Sequence, residues 1–365
     1  MSQDRPFDLS LTEEQRITRQ SMQRFAEQQL RSVARPADEA GCVPEGFLER
    51  TTELGLALLP VPEALGGAGE PRSPMSNVLN AEDLGYGDVS LALATLAPQG
   101  FINAILDFGD EAQQQAFLPR LAQEHFVAAT VALMEKRATF EPAELATQAV
   151  REGDDYVLRG EKRMVILGSS AELLLVIAAF DGVPAAFVVE RGSAGLTTAS
   201  EEYMGLRAVD TATVTLADVR VPASHRLANF DLERLVDLSR LGIAAIAVGC
   251  CQAVLDYCIP YVKERKAFGE PIAWRQSVAF TVADMAIELE GMRLLVWQAA
   301  SRAEQGLPFH REAYLARVAC AERAMQIGTD GVQLFGGAGF IRDYPLEMWY
   351  RNLRAVGVLE GAATV

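Results

Sequence analysis

A run of short strand-like segments between two helical regions most constrains the fold of this 365-residue chain. From about Val127 to Ala228 these segments are separated by turn residues, and no helical pattern intervenes between them. Parallel sheets need a crossover helix between successive strands, so the pattern argues against a dinucleotide-binding sheet. It favours an antiparallel barrel or sandwich.

The regions on either side have helical spacing of their apolar residues. The first begins after possible cap residues at Ser10 and Thr12, and the second holds segments long enough to form a bundle. The chain exceeds the roughly 250–300 residues at which a single hydrophobic core stops growing, so several domains are expected. The predicted domains are an N-terminal α-helical domain at 1–126, a middle β domain at 127–228 and a C-terminal helical bundle at 229–365.

The charge balance bears on the possible partners. The chain carries 33 Lys and Arg residues against 49 Asp and Glu residues, a net charge of −16. So acidic a surface repels phosphate backbones, which argues against nucleic acid as a partner. An anionic small ligand would therefore need a local basic site.

The longest apolar stretch, Leu241–Leu255, is shorter than the ~20 residues that span a bilayer, which favours a buried helix and no membrane span. The N-terminus has an early Asp and no apolar signal region, which predicts a cytoplasmic protein.

The five cysteines show no metal-ligand spacing, and we expect free buried thiols and no metal site.

Several motifs, taken in their order, resemble the acyl-CoA dehydrogenase family over nearly the whole chain. The matching stretches are VPEALGGAG, AEDLGYGDVS, GDDYVLRGEK, MGLRAVDTATVTLADVRVP, ERKAFGEPIAWRQ and QLFGGAGFIRDYPLEMWYRNLRAVGVLEG. The Gly336–Gly339 cluster follows a helix instead of a strand, so it is interpreted as a helix end and turn and not as a dinucleotide loop. The resemblance implies the family fold: helical domain, antiparallel β-barrel domain and C-terminal four-helix bundle.

The resemblance also implies a reaction, the α,β-desaturation of an acyl-CoA in fatty acid metabolism. The Glu of the closing EG motif, which takes the α-proton of the thioester in this family, corresponds to Glu360. Gly361, beside it, would let the backbone approach the substrate. Asp237 and Arg240 match the family's DxxR pair on the CoA side. FAD would accept the β-hydride, and an electron-transfer flavoprotein would take the electrons onward.

The family's FAD lies at a subunit interface, with its ADP half held by the neighbouring subunit. The resemblance therefore implies a dimer of dimers, either a homotetramer or a heteromer with another acyl-CoA dehydrogenase subunit. The positions that match the ADP-binding arm are Arg265, Phe268, Gln276, Gln333, Gly336 and Gly337. A guanidinium at Arg265 suits a pyrophosphate.

The flavin-ring half departs from the family pattern. Met134 stands where the family has a Thr whose hydroxyl contacts the flavin, and Ile166 replaces a second flavin-binding hydroxyl. Phe140 replaces a Ser near the phosphopantetheine arm of CoA. Met164 occupies the position of the family's ring-stacking Trp, and Ala362 follows Gly361 where Thr is usual.

Two functions therefore compete as the main explanations. One is an FAD-dependent acyl-CoA dehydrogenase whose ring site tolerates Met134 and Ile166. The other is a non-catalytic subunit that lends its intact ADP arm to the FAD site of a partner. Related flavin chemistry on the same fold, such as that of an oxidase, is a third alternative.

Overall fold

The computed structural model describes residues 10–137 and 140–365. The described part excludes the first nine residues, which belong to the N-terminus interpreted above as lacking a secretory signal. It also excludes Ala138 and Thr139, which lie between Met134 and Phe140. Two compact units emerge from the contacts within the chain. Unit 1 comprises Met1–Arg35, Ser73–Val89 and Leu241–Gly357, and unit 2 comprises Pro36–Arg72, Ser90–Arg240 and Val358–Val365. The three predicted domain boundaries stay a prediction.

Helices occupy both ends of the chain, as predicted. In the described residues they are α1 (Glu13–Phe25), α2 (Arg31–Ala40), α3 (Phe47–Thr51), α4 (Pro74–Gly87), α5 (Val89–Phe108), α6 (Glu111–Leu121), α7 (Leu232–Glu264), α8 (Gln276–Glu304), α9 (His310–Phe335) and α10 (Leu346–Ala355). Thr12 caps α1: its hydroxyl accepts from the backbone N–H of Gln15, whose side chain bonds back to the N–H of Thr12. This reciprocal pair confirms the predicted helix start.

Helix α5 was not predicted from the sequence, because its composition shows no amphipathic period and includes Pro98. Both α5 and α7 are long and apolar enough to cross a membrane, but 94% and 89% of their apolar windows are buried inside the protein. The buried helix expected at Leu241–Leu255 is therefore confirmed as part of α7.

Strands fill the middle of the chain. They are β1 (Ala129–Ala132), β2 (Gln148–Glu152), β3 (Asp155–Ile166), β4 (Leu173–Phe180), β5 (Val183–Glu190), β6 (Leu196–Ser200), β7 (Thr211–Pro222), and the two-residue strands β8 (Lys266–Ala267) and β9 (Glu270–Pro271). The main sheet has seven strands in the order β1-β4-β2-β3-β7-β6, with β5 paired to β4. The β2–β3, β3–β7, β4–β5 and β6–β7 pairs are antiparallel, as expected. The prediction was wrong at one end of the sheet, where β1 and β2 run parallel to β4.

Strand β4 is buried on both faces, which explains its continuous apolar sequence. Leu173, Leu175 and Ile177 belong to a larger cluster shared with α5 and the start of α7. The alternate residues Leu174 and Val176 belong to a second cluster formed by the other strands. The β sheet of unit 2 therefore carries apolar packing on each side, and its larger cluster reaches the helix that bears Asp237 and Arg240.

The cysteines agree with the prediction except at one position. Cys250, Cys251, Cys258 and Cys320 are buried, and burial raises the pKa of Cys258 and of Cys320 to about 12. Thiols with such high pKa values carry little thiolate at neutral pH and are poor nucleophiles. Cys42 is exposed instead, because it lies in the turn that follows α2.

Candidate functional site

The proposed base and the proposed CoA-side pair lie together in unit 2. Glu360 follows α10 in the chain, and its side chain is 13% exposed. Its two carboxylate oxygens lie 3.4 and 3.3 Å from Nε of Arg240. Nη1 of Arg240 lies 3.9 Å from Oδ1 of Asp237, one helical turn earlier on α7. The structure therefore brings Glu360 to the Asp237–Arg240 pair, although 120 residues separate Arg240 from Glu360 in the sequence.

Helix α7 places these two side chains by its periodicity. Asp237 and Arg240 stand three residues apart and so share one face of the helix. Leu235 and Leu238 are fully buried and fix that stretch of the helix in unit 2. Arg240 reaches both oxygens of Glu360 through one nitrogen, and not through the paired N–H bonds of a bidentate contact. A carboxylate has about four lone-pair positions, so this contact leaves acceptor capacity for a proton.

Gly361 is required by the geometry of the turn at the base. Its φ is +74°, a backbone conformation that residues with a side chain rarely adopt. A Cβ at this position would also lie 2.8 Å from Cβ of Leu133. The Glu360–Gly361 turn therefore rests directly on the segment that follows β1. The close contact observed at Gly361 is with Leu133 of the protein itself, and the approach of this backbone to a substrate stays a prediction.

The segment after β1 is fixed by a buried ion pair. Nζ of Lys162 lies 2.7 Å from Oε1 of Glu135 and donates a second bond of 3.0 Å to the carbonyl of Leu133. Glu135 also accepts from the backbone N–H groups of Ala146 and Thr147, at 2.6 and 2.9 Å. Lys162 is 0% exposed and Glu135 is 3% exposed. The pair ties residues 133–135 to β3 and to the start of β2.

Both pKa values of the pair are lowered, for different reasons. Desolvation is the largest cause at the fully buried Lys162 and lowers its pKa to about 8, against the opposing charge of Glu135. Burial alone would raise the pKa of Glu135, but the Lys162 ammonium and the hydrogen bonds from Thr147 hold it below its usual value of 4.5. The ionised form of Glu135 is therefore favoured by its donors.

Glu135 should make stability depend on acid pH. Because its pKa is lower in the folded protein, unfolding takes up a proton, and the stabilisation is present above the usual value of 4.5 and lost as the pH falls below it. We expect Glu135→Gln to flatten the fall in unfolding free energy between about pH 5 and pH 3, measured by urea titration. An unchanged slope in the variant would contradict this role.

The ring-side positions Met134 and Ile166 are both buried in unit 2. Ile166 ends β3, and Met134 accepts a hydrogen bond from the backbone N–H of Glu360, with 3.3 Å between N and Sδ. Neither side chain offers the hydroxyl that the family pattern has there. The expected flavin contacts of these two residues therefore cannot be hydroxyl hydrogen bonds.

The end of β3 has a constrained backbone. Met164 and Leu167 have φ values of +50° and +54°, and the β3–β7 register shifts between Lys162 and Val165. Glu201 holds this bulge, because it accepts from the N–H of Met164 at 2.7 Å and from the hydroxyl of Thr213 at 2.8 Å. These bonds help to hold the pKa of Glu201 below its usual value, although its burial acts in the opposite direction.

A cavity of about 880 Å³ borders the same segment of unit 2. Leu167, Ser170, Glu201 and Tyr203 are among its lining residues, whereas Glu360 is not. The cavity therefore marks space beside the end of β3 and does not by itself locate the reacting acyl group.

Phe140 lies on the side of unit 2 that holds the larger apolar cluster. It is partly buried and packs against that cluster, which includes Leu235 and Val236 at the start of α7. An apolar ring thus packs against the same cluster to which the start of α7 contributes. It cannot accept or donate the hydrogen bond that a serine at this position could make.

The residues assigned to the ADP arm lie in unit 1 and are solvent-exposed. They are Arg265, Phe268, Gln276, Gln333, Gly336 and Gly337. Arg265 follows α7, Gln276 begins α8, and Gln333 lies in the last turn of α9. Gly336 ends α9 with φ +57°, which confirms the helix end and turn expected for the glycine cluster.

An aromatic pair supports this arm. The rings of Tyr261 and Phe335 stack with centroids 3.6 Å apart, which joins the end of α7 to the end of α9. The backbone N–H of Arg265 bonds to the carbonyl of Tyr261 at 2.8 Å, and the carbonyl of Arg265 accepts from Ile272 at 2.9 Å. Phe335 directly precedes Gly336, so Arg265 and the glycine turn are anchored to the same stacked pair.

The donor set of the arm fits the ADP half of FAD. A Cβ at Gly336 or at Gly337 would meet nothing within 4 Å, so the backbone there is open to a ligand. The exposed Arg265 guanidinium suits a pyrophosphate. On the ring side, Met134 and Ile166 supply no hydroxyl, so they do not provide the hydrogen bonds that the family pattern has there.

Sequence reasoning missed three supporting residues: Glu135, Lys162 and Leu133. Lys162 stands inside a stretch used for the family resemblance and Glu135 directly follows Met134, but nothing local in the sequence shows that they pair. Their separation of 27 residues spans most of two strands and a loop. A buried Lys in a strand is a weak signal that a carboxylate partner must exist elsewhere in the fold.

Three family models match the chain almost from end to end. They describe the acyl-CoA dehydrogenase N-terminal domain at residues 12–125, the middle domain at 130–219 and the C-terminal domain at 231–365. A probable acyl-CoA dehydrogenase of Bacillus subtilis is 33% identical over 98% of this chain and 97% of its own length.

Solved structures agree with these matches. Butyryl-CoA dehydrogenase from Megasphaera elsdenii is 30% identical with a TM-score of 0.90, covering 97% of this chain and 96% of its own. A chain in the structure of the electron transferring flavoprotein of Acidaminococcus fermentans is 31% identical with a TM-score of 0.89, at the same coverage of both chains.

Proposed function

This chain belongs to the acyl-CoA dehydrogenase family of oxidoreductases that act on CH–CH groups, and we propose that it desaturates an acyl-CoA with Glu360 as the base. The observation that carries the proposal is the position of Glu360, whose carboxylate lies beside Arg240 while its backbone is held at Met134. FAD, when bound, accepts the hydride from the β-carbon. The same observation supports Glu360 as the group that removes one proton from the α-carbon.

Arg240 orients the base without saturating it. Its single-nitrogen contact leaves Glu360 able to accept a proton, and the 13% exposed side chain lies mostly out of water. Burial of a general base in this way strengthens its interactions with the substrate, because the local dielectric is low. Asp237, one turn away, holds Arg240 on the same helix face.

A short acyl chain is the substrate class we propose. The 30% identity to the butyryl-CoA dehydrogenase of Megasphaera elsdenii supports it. We propose a changed CoA side as well, because Phe140 stands where the family has a serine near the phosphopantetheine arm and its ring packs against the larger apolar cluster. An electron-transfer flavoprotein is the proposed electron acceptor, and the match to a chain from that system in Acidaminococcus fermentans supports it.

We propose an oligomer, a homotetramer or a heteromer, that covers exposed apolar surface of unit 1. Phe280, Ile287 and Leu294 recur every seven residues on α8 and are all exposed. Phe268 is 95% exposed and Phe340 is 84% exposed, and both lie in or next to the ADP arm. Large apolar side chains in this number usually mark an interaction surface.

The visible absorption spectrum of the purified, desalted protein tests the cofactor assignment. We expect a flavin band at a stoichiometry of one FAD per chain. Arg265→Ala should weaken FAD binding by roughly tenfold or more, because a charge-assisted hydrogen bond contributes ~1.5–3 kcal/mol. Arg151→Ala, at an exposed arginine of β2 in unit 2, is the matched control and should leave binding unchanged.

A second function is favoured by one observation, the burial of Met134 and Ile166 at the two ring-side positions. In this alternative the chain is a non-catalytic subunit that lends its ADP arm to a partner's FAD site. It predicts no flavin band from the protein alone, even with excess FAD. A band should then form after mixing with a complete acyl-CoA dehydrogenase subunit, and Arg265→Ala should weaken it.

A further inference from the structure

The backbone of Glu360 is held by a residue that departs from the family pattern. Its N–H donates to the thioether sulfur of Met134, with 3.3 Å between nitrogen and sulfur. Met134 is only 7% exposed and the Glu360 side chain is 13% exposed, so the contact is largely removed from water. A thioether is a weak acceptor, but a buried N–H without any acceptor costs more than a weak bond contributes.

Two neighbouring contacts make this arrangement stiff. Gly361 rests on Leu133, at a distance that leaves no room for a Cβ. The carbonyl of Leu133 accepts from the fully buried Lys162, which also pairs with Glu135. Residues 133–135 therefore form a fixed support, and Met134 is the member of it that bonds to the backbone of the base.

The side chain of Glu360 extends from this anchored backbone toward Arg240. Its carboxylate meets Arg240 at 3.3 Å, so backbone and side chain are held from two different elements, the segment after β1 and helix α7. Loss of either contact weakens the hold on one end of the residue. A displacement of about 1 Å at a reacting group can cost on the order of a hundredfold in rate.

We propose that Met134 is a positioning residue for Glu360, and that its role is directed toward the base and not toward the flavin. The inference rests on the proposed function, because it assigns Met134 a task in proton removal by Glu360. Leucine has a similar volume and no acceptor, so Met134→Leu removes the contact and keeps the packing. Met285, buried on α8 in unit 1, supplies the matched control Met285→Leu.

Hydrogen exchange of the Glu360 amide tests the contact without any catalysis. We expect exchange at this amide to rise roughly threefold to tenfold in Met134→Leu, since a single hydrogen bond contributes about that factor. Met285→Leu should leave the Glu360 amide as in the unchanged protein. Equal exchange in all three proteins would overturn the proposal.

Steady-state kinetics test the consequence of the contact. We expect Met134→Leu to lower kcat on the order of tenfold, with little change in KM for the acyl-CoA or in the FAD dissociation constant. An unchanged kcat, or a loss that follows weakened FAD binding, would overturn the positioning role. If the unchanged protein itself has no activity, the proposed function fails, and the exchange experiment alone decides whether Met134 holds Glu360.

Discussion

Replacing Glu360 with glutamine is expected to lower kcat for the acyl-CoA by roughly 10²- to 10⁴-fold, the range in which general-base catalysis contributes. Glutamine keeps the size and one carbonyl oxygen for Arg240, but it cannot accept the α-proton. The backbone N–H to Met134 is unaffected by the change. FAD content and the melting temperature should therefore stay close to those of the unchanged protein.

The expected loss distinguishes a base from a merely structural carboxylate. Glu322→Gln, at an exposed position of α9 in unit 1, is the matched control and should retain full activity. A Glu360→Gln protein that keeps kcat within about twofold of the unchanged enzyme would remove Glu360 from the proton transfer. Arg240→Gln should lie between these extremes, since it loses the orientation but not the base.

Replacing Lys162 with methionine is expected to destabilise the fold by ~3–5 kcal/mol. The variant leaves the carboxylate of Glu135, 3% exposed, without its buried cation. It also removes the donor to the carbonyl of Leu133. Urea titration of the unfolding free energy measures the effect.

Two comparisons separate the buried pair from ordinary ion pairs. In the double variant Glu135→Gln with Lys162→Met no unpaired charge remains, so we expect much of the lost stability to return. Arg220→Met breaks the exposed pair of Arg220 with Glu152 and should cost less than about 1 kcal/mol. Equal losses for Lys162→Met and Arg220→Met would contradict the account of residues 133–135 as a fixed support.

The family and its elements were readable from the sequence because the motifs are long and ordered. The strands β2, β3, β4, β5 and β7 follow from alternation, apolar runs and turn residues. Strand β1 has only four residues, and β6 is almost entirely exposed, so neither has a pattern that predicts a strand. Helix α5 was not predicted because a helix buried on all sides has no apolar stripe. In addition, Pro98 is a residue that normally indicates the end of a helix. Parallel pairing of β1 with β4 depends on topology, which alternation alone does not encode.

The candidate site was likewise predictable from the sequence only in part. Glu360, Arg240 and Asp237 were nominated from motifs, and the structure brings them together although 120 residues separate Arg240 from Glu360. The bond from Glu360 to Met134 joins residues 226 positions apart, and no local pattern foreshadows it. In the sequence, Met134 indicates only that a flavin-binding hydroxyl is missing. In the structure, its sulfur accepts a hydrogen bond from the backbone N–H of Glu360.

The ADP arm differs from the base in how it can be tested. Arg265 and Gln333 are exposed in unit 1, so their assignment depends on a ligand or a second subunit and not on contacts within the chain. The stacked pair of Tyr261 and Phe335 joins the end of α7 to the end of α9 and so supports the arm. This arm is therefore best examined by FAD binding, and the base by chemistry.

Anaerobic addition of butyryl-CoA to the FAD-loaded protein is the most direct test of the central claim, that Glu360 serves an acyl-CoA desaturation. We predict that the visible flavin band bleaches in the unchanged protein and persists over the same period in Glu360→Gln. A band that persists in the unchanged protein with butyryl-CoA and with longer acyl-CoAs would contradict the claim. Equal bleaching in both proteins would contradict the role of Glu360.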